Sequence, residues 1–326
     1  MQPARVMSVA RSELTLQSAA AVFTIELDRE WQRKDPVERP TVGDWVLVNR
    51  ANQQLDRLLE RQSLFKRKAA GDRAEIQLIA ANVDTVFIVS SCNDDFNLSR
   101  LERYLALAFE SEAEPVLVLT KADLCDDEAR YLDEARQLGH QLQVMALNAT
   151  AENSSELLAP WCRTGQTLAL IGSSGVGKST LINTLLGAEI QATGSIRQDD
   201  SKGRHTTTSR SLHCLANGAL VLDSPGIREL QLTDVAAGLA DLFSDVEELA
   251  QYCKFADCQH ASEPQCAVQQ AIEKGELEAR RLASYQKLQR EDAHNTQTIA
   301  ERHARTRRWN KSVRRHNSVT DKRNPT

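Results

Sequence analysis

The sequence predicts a multidomain chain: a small β-barrel first, then an α/β domain with a phosphate-binding loop, then a helical module around a metal site. Three observations predict it. Short strand-like runs with little helical signal fill residues 1–80. From residue 81 to about 245, buried β-rich runs alternate with helical segments, the mark of a mostly parallel sheet. Residues 246–326 hold three closely spaced cysteines, a histidine and a basic tail.

In the first part the strand-like runs are Arg5–Val9, Val22–Leu27 and Trp45–Val48. Thr41-Val42-Gly43-Asp44-Trp45-Val46-Leu47-Val48 reads as a turn entering an alternating strand. Closely spaced short strands suit a small barrel. In the second part the strands expected are Val83–Val89, Pro115–Thr120, Gln143–Leu147, Thr167–Ile171 and Ala219–Asp223. Helices are expected near Leu98–Phe109 and Asp126–Leu138 and from Lys178. In the third part Glu276–Glu291 reads as a charged helix.

At 326 residues the chain can bury two or three cores. No run approaches the roughly 18 apolar residues of a membrane span. The start, Met1-Gln2-Pro3-Ala4-Arg5, lacks the apolar core of a secretory signal. A cytoplasmic protein without a membrane partner, working as a monomer, is therefore expected. The net charge of −5 conceals an asymmetry: residues 294–326 carry +7 and the rest −12. An acidic body with a basic tail suggests a polyanionic partner, against the plainer reading of a solvated terminus. Seven cysteines, four of them scattered, fit a reducing compartment and a metal site better than a disulfide framework.

Gly172-Ser173-Ser174-Gly175-Val176-Gly177-Lys178-Ser179-Thr180 matches G-x-x-x-x-G-K-[ST] between a strand and a helix. Glycines let backbone amides close around a phosphate, and the helix N-terminus adds positive charge. Lys178 is expected at the β- and γ-phosphates and Ser179 at Mg²⁺. Asp223-Ser224-Pro225-Gly226 ends a strand. Asp223 there suits a Mg²⁺-bound water, and the Gly226 amide the γ-phosphate. Between them, Lys202-Gly203-Arg204-His205-Thr206-Thr207-Thr208 reads as a switch segment. Thr207 is favoured for Mg²⁺, although Thr206 or Thr208 would serve.

Thr120-Lys121-Ala122-Asp123 follows a buried strand and fits the N/T-K-x-D element that reads guanine. The Asp123 carboxylate would accept from two guanine N–H groups, and adenine offers no such pair. Thr120 stands where Asn is commoner, and Met145-Ala146-Leu147-Asn148-Ala149 is the candidate for a further base loop. In the usual order the phosphate loop comes first; here the base motif precedes it. Such a permutation is tolerable because domain termini lie at the surface and often close together. GTP and GDP, with Mg²⁺, are the ligands implied.

Cys253, Cys258, His260 and Cys266 offer three thiolates and an imidazole within one short stretch. That set suits tetrahedral Zn²⁺, and four protein ligands leave no open position, so one structural zinc is expected.

The permuted order, these motifs and the cysteine cluster together resemble the RsgA-type family of ribosome small-subunit-dependent GTPases. Val42-Gly43-Asp44-Trp45-Val46, Ala81-Asn82-Val83-Asp84 and Gly203–Thr208 share the resemblance. It implies an N-terminal OB-fold barrel, a circularly permuted GTPase core and a C-terminal zinc domain. It also implies a GTP hydrolase that assists late 30S maturation, contacts 16S rRNA and is stimulated by the subunit.

In many GTPases a Gln after DxxG orients the attacking water; Ile227 stands there. His205 is the candidate replacement, since an imidazole can position or deprotonate water. The resemblance points the same way, while a contact with RNA or solvent is the alternative. Two other functions fit less of the sequence. A nucleotide-gated RNA-binding module with negligible turnover is favoured only by Ile227, and a small-molecule kinase leaves TKAD unexplained.

Overall fold

Alternating apolar side chains make the N-terminal strands one-sided. The computed structural model describes residues 1–10, 12–49, 51–68, 76–139, 141–151, 153–187, 210–223 and 234–296. In it β1 (Gln2–Ala10), β2 (Glu13–Gln17) and β3 (Val22–Glu26) form an antiparallel meander. Helix α1 (Arg29–Arg33) follows, capped by the Asp28 carboxylate, which accepts from the Glu30 and Trp31 amides. β4 (Trp45–Asn49) pairs with β1, and β5 (Gln54–Leu58) with β4. Their inward residues, among them Ala4, Val6, Leu14, Leu16 and Val46, make one core. Trp31 joins it, and its ring N–H donates to the Leu55 carbonyl at 3.2 Å.

β6 (Leu64–Lys68) and β7 (Ile76–Ala81) form a separate two-stranded ribbon. Phe65 and Ile79 bury themselves in the core of the α/β part, not in that of the preceding strands.

The α/β part runs β8 (Thr85–Ser91), α2 (Leu98–Glu110), β9 (Glu114–Thr120), α3 (Glu128–Arg136) and β10 (Gln143–Ala146). It continues with α4 (Ser154–Leu158), β11 (Thr167–Ile171), α5 (Lys178–Leu186), β12 (Arg210–Cys214) and β13 (Leu220–Asp223). In space the order is β10-β9-β8-β11-β13-β12, parallel except for β12. β8 is buried at all seven positions, as a central strand covered on both faces must be. The chain builds outward from β8 to β10, returns to lay β11 on the other side of β8, and builds the opposite half. Strand order therefore reverses between β8 and β11.

Beyond these come α6 (Ala236–Leu242), α7 (Ser244–Ala250), α8 (Ala267–Glu273) and a helix, α9, described over residues 279–296. α6 packs directly on α2. A Cβ on Gly238 would stand 2.1 Å from the Ala106 carbonyl oxygen, so only glycine permits this approach. α9 is strapped to the same region. Arg280 pairs at 2.9 Å with Glu102, whose side chain is fully buried, and Arg103 pairs with Glu291 at 2.6 Å. Arg281 bonds Asp245 and the Leu138 and Leu242 carbonyls. Leu239, Phe243, Leu282 and Tyr285 thus share one core with α2 and β8.

β1 also pairs with β12, through Ser8↔Ser211 and Val9↔Arg210, so one sheet runs from β10 to β3. Arg5 fastens the join: its guanidinium donates to the Asn82 carbonyl and the Thr167 hydroxyl, each at 2.9 Å, and stacks on Trp45. Asn82 in turn donates to the Gly43 carbonyl at 3.0 Å, while Asp84 accepts from the Thr167 amide at 2.7 Å. Burial pushes the Asp44 carboxyl up from its ordinary value, opposed by the paired Arg61 at 2.8 Å. Among the described residues no helix is long and apolar enough to cross a membrane.

Candidate functional site

Ligands of open α/β sheets settle outside the carboxyl ends of the strands, where strand order reverses. The three sequence motifs reach that edge. Gly172–Thr180 leaves β11, Thr120–Asp123 leaves β9, and Asp223 ends β13.

β11 is wholly apolar and buried, and it turns out of the sheet at Gly172. There φ is +144°, and a Cβ would come within 2.1 Å of the Val89 carbonyl oxygen on β8. Gly177, at φ +96°, is the N-cap of α5. The first amides of α5 have no carbonyl partner within the helix and carry its positive end. Lys178 is 5% exposed, and its ammonium donates to the Gly172 carbonyl at 2.8 Å and to that of Ser173. Neutral oxygens thus hold the charge at the mouth of the loop. Ser179 and Thr180 are half-buried beside it.

Thr120 is fully buried, and its hydroxyl donates to the Val176 carbonyl at 2.6 Å while lying 3.1 Å from the Ser90 carbonyl. The threonine is a bolt between the base motif and the phosphate loop. Lys121 takes the left-handed conformation, φ 59°, and the 3-10 turn Ala122–Leu124 then presents Asp123 on the surface. The segment after β10 closes the same corner. The Leu147 carbonyl accepts from the Ala122 amide at 3.4 Å, and Asn148 accepts from Thr150. The Ala149 carbonyl accepts from Thr184 of α5 at 2.7 Å.

Asp223 registers with Ser211 across β12. His213 stands nearby, its Nε2 4.0 Å from Asp223 Oδ2 and 3.1 Å from the Ser211 hydroxyl. His205, Thr207 and Gly226 lie outside the described residues, as do Thr206, Thr208, Ile227 and every basic residue of the tail beyond residue 296.

The four predicted metal residues come together. One donor atom from each of Cys253, Cys258, His260 and Cys266 lies within 4.8 Å of all the others. Cys253 and Cys266 sulfurs are 3.8 Å apart, and His260 Nδ1 is 3.6 and 3.5 Å from them. A tetrahedral ion with about 2.3 Å to sulfur and 2.0–2.1 Å to nitrogen separates its donors by about 3.5–3.8 Å. The residues present therefore fit a four-coordinate metal. His260, at φ 58°, is held by Gln269, which donates to its carbonyl at 2.5 Å.

Sequence reasoning passed over the Ser90, Val176 and Ala149 carbonyls, because backbone acceptors leave no residue-type signal. It also passed over His213, whose nearness to Asp223 follows only from the β12–β13 register.

A G-x-x-x-x-G-K-[ST] loop at the strand-order reversal, with a T-K-x-D turn that precedes it in the chain, is the arrangement of a circularly permuted P-loop GTPase. The comparisons agree. A family model described as RsgA GTPase matches residues 58–233. A relative from Vibrio parahaemolyticus serotype O3:K6, named small ribosomal subunit biogenesis GTPase RsgA 2, is 57% identical over 283 residues. That match covers 87% of this chain and 78% of the relative. The crystal structure of YjeQ from Thermotoga maritima superposes with a TM-score of 0.66 at 24% identity, over 88% of this chain and 96% of that one. YloQ, described as a circularly permuted GTPase, gives 0.61 at 23% identity over 94% and 96%. The chain belongs to the RsgA GTPase family.

Proposed function

We propose that this protein is a GTP-hydrolysing factor of small ribosomal subunit biogenesis that acts late in 30S maturation and is stimulated by the subunit. The observation that carries the reading is the bolt from Thr120 to Val176, which sets a guanine-reading turn against a phosphate loop at one sheet edge. The name of the Vibrio relative supports the ribosomal assignment.

In this reading Asp123 accepts from the guanine N1–H and amine, and the Lys121 stem lies along the ring. Gly172–Thr180 wraps the phosphates with backbone amides. Lys178 leaves the Gly172 and Ser173 carbonyls for the β- and γ-phosphates, an exchange of neutral partners for charged ones. Ser179, Thr207 and Asp223 would hold Mg²⁺, which when bound offsets phosphate charge. The Gly226 amide meets the γ-phosphate. His205 holds the attacking water, since Ile227 offers no hydrogen bond.

We assign residues 1–80 to an OB-type barrel formed by β1–β5 with the trailing β6–β7 ribbon packed on the neighbouring core, 81–245 to the permuted GTPase domain and 246–326 to a zinc domain with a basic tail. The five strands β1–β5 around one core support the first. The cluster's donor spacing supports zinc in the last. Barrel and tail contact 16S rRNA through phosphate charge and exposed aromatic faces such as Trp45. The protein acts in the cytoplasm as a monomer.

The test is GTP turnover with and without purified 30S subunits. Stimulation by 30S is expected, and His205→Ala is expected to lower the stimulated rate by about 10²–10⁴-fold with nucleotide affinity kept. Turnover indifferent to 30S would overturn the ribosomal assignment. Parallel loss of 30S binding and turnover in His205→Ala would make His205 a contact residue.

A further inference from the structure

A groove opens at the amino ends of β9 and β10, the sheet edge opposite the nucleotide motifs. There α2 and the turn after α3 meet α6 and the start of α9, around a cavity of about 720 Å³. Its floor is apolar, with Phe109 and Leu142 half-buried and Leu277 buried. Its rim is acidic. Glu114, Asp241 and Glu276 are exposed, and among the described residues none of the three has a cation partner. Arg281, the one cation lining the groove among those residues, is already bonded to Asp245 at 2.6 Å. Such a rim repels RNA and suits a cationic peptide, and the floor suits a peptide that brings a large apolar anchor.

The chain carries such a peptide. Residues 302–315 hold seven Lys/Arg and no Asp or Glu, with Trp309 among them in Arg307-Arg308-Trp309-Asn310-Lys311. The segment lies outside the described residues, but it is tethered to α9, whose first turn lines the groove at Arg281. Its reach suffices. From residue 279 to residue 296 α9 rises about 26 Å, at about 1.5 Å per residue. Trp309 stands thirteen residues past Thr296, up to about 43 Å of extended chain at about 3.3 Å per residue. The cavity falls within the roughly 300–1,000 Å³ that encloses a drug-sized molecule, ample for an indole. Tethering also sets an effective concentration on the order of mM, so weak contacts are enough to hold the segment.

We propose that residues 302–315 dock in this groove, Trp309 on the apolar floor and its basic neighbours against Glu114, Asp241 and Glu276, and that RNA draws the segment out; the second half rests on the reading of the tail as an rRNA contact. Docked, the seven cations are withheld from stray polyanions. A nucleic-acid backbone offers denser charge than three exposed, screened carboxylates, so the right RNA takes the segment when it arrives. The +7 of residues 294–326 and the −12 of the rest thus meet first within one chain. A segment docked about nine-tenths of the time lowers the apparent RNA affinity it confers about tenfold.

The full-length chain is treated with a carbodiimide, which joins lysine amines to carboxylates in contact, with and without an oligouridine RNA, and the links are mapped by mass spectrometry. A link from Lys311 to Glu276, Asp241 or Glu114 is expected, formed within one chain in a mixture of light and isotope-labelled protein, and lost when RNA is added. In a titration with labelled oligouridine, Asp241→Asn/Glu276→Gln should bind about three- to tenfold tighter than the unaltered chain. Lys311 linked only to other carboxylates, only between chains, or not at all while other lysines react overturns the docking. Unchanged RNA affinity in the double variant, or a link that survives bound RNA, overturns the competition. A link in an unaltered chain that binds no RNA upholds the docking and refutes the rRNA reading of the tail. The mapping needs no variant, so a poorly folding double variant leaves the docking falsifiable.

Discussion

Replacing Thr120 with valine isolates the contact between the base turn and the phosphate loop. Valine has nearly the shape of threonine, so the buried space stays filled and the Cγ methyl facing Gly177 is kept. What goes is the hydroxyl that donates to Val176 at 2.6 Å in a fully buried site. An acceptor stripped of its partner costs about 1–3 kcal/mol. The urea unfolding free energy of Thr120→Val should fall by that amount. The loop is also freed to shift relative to Asp123, and if about 1–2 kcal/mol of this appears in binding, GDP affinity drops about 5–30-fold. Thr120→Ser retains the donor and should keep affinity, losing only a methyl contact. Fluorescent-GDP titration with urea denaturation of the three chains reads both effects. Unimpaired binding by Thr120→Val beside impaired binding by Thr120→Ser would show that the methyl matters and the hydroxyl does not.

Arg280→Ala strands the buried Glu102 carboxylate and should cost about 3–5 kcal/mol in denaturant unfolding, with the Arg280→Ala/Glu102→Leu double variant recovering much of it. Cys258→Ser should lose stoichiometric zinc by elemental analysis and loosen α8 to hydrogen exchange while GDP binding persists; metal-free unaltered protein would contradict it. Burial pushes the Cys162 thiol from 9.0 up to about 11. The unfolded chain releases this proton first, so the stabilisation is whole below pH 9 and is lost as pH rises toward 11. Cys162→Ala should flatten the fall in stability over that window, and an unchanged pH profile would refute the assignment.

Much of the α/β part was legible because its strands are short apolar runs and its loops carry residue types that chemistry demands. Thr167–Ile171 coincides with the observed strand, and the helix from Lys178 begins where expected. β2 and β5 escaped notice. Glu13–Gln17 and Gln54–Leu58 bury only one or two side chains each, and their place comes from ladder bonds with β1 and β4. β6 and β7 carry no strand signal of their own within residues 1–80, and their buried faces turn to the neighbouring core, a preference decided by tertiary packing. At the site, the metal quartet was legible from spacing alone. Thr120 was singled out as a departure from Asn, but its service to Val176 depends on how closely β9 and the loop after β11 approach.

The pairing of β1 with β12 also sets a timetable for synthesis. Val9 leaves the tunnel long before its partner Arg210 is made, and β8 waits likewise for β11. Until then each presents an open edge, and unpaired edges invite pairing with other chains. The nascent N-terminal strands can close among themselves through β2 and β4, which covers most of β1. Only Ser8 and Val9 must wait for β12, a short remnant at the end of the strand. Newly made chains should thus hold paired N-terminal strands beside a half-built sheet, and β12 joins β1 to β13 only once residues 210–223 have been made.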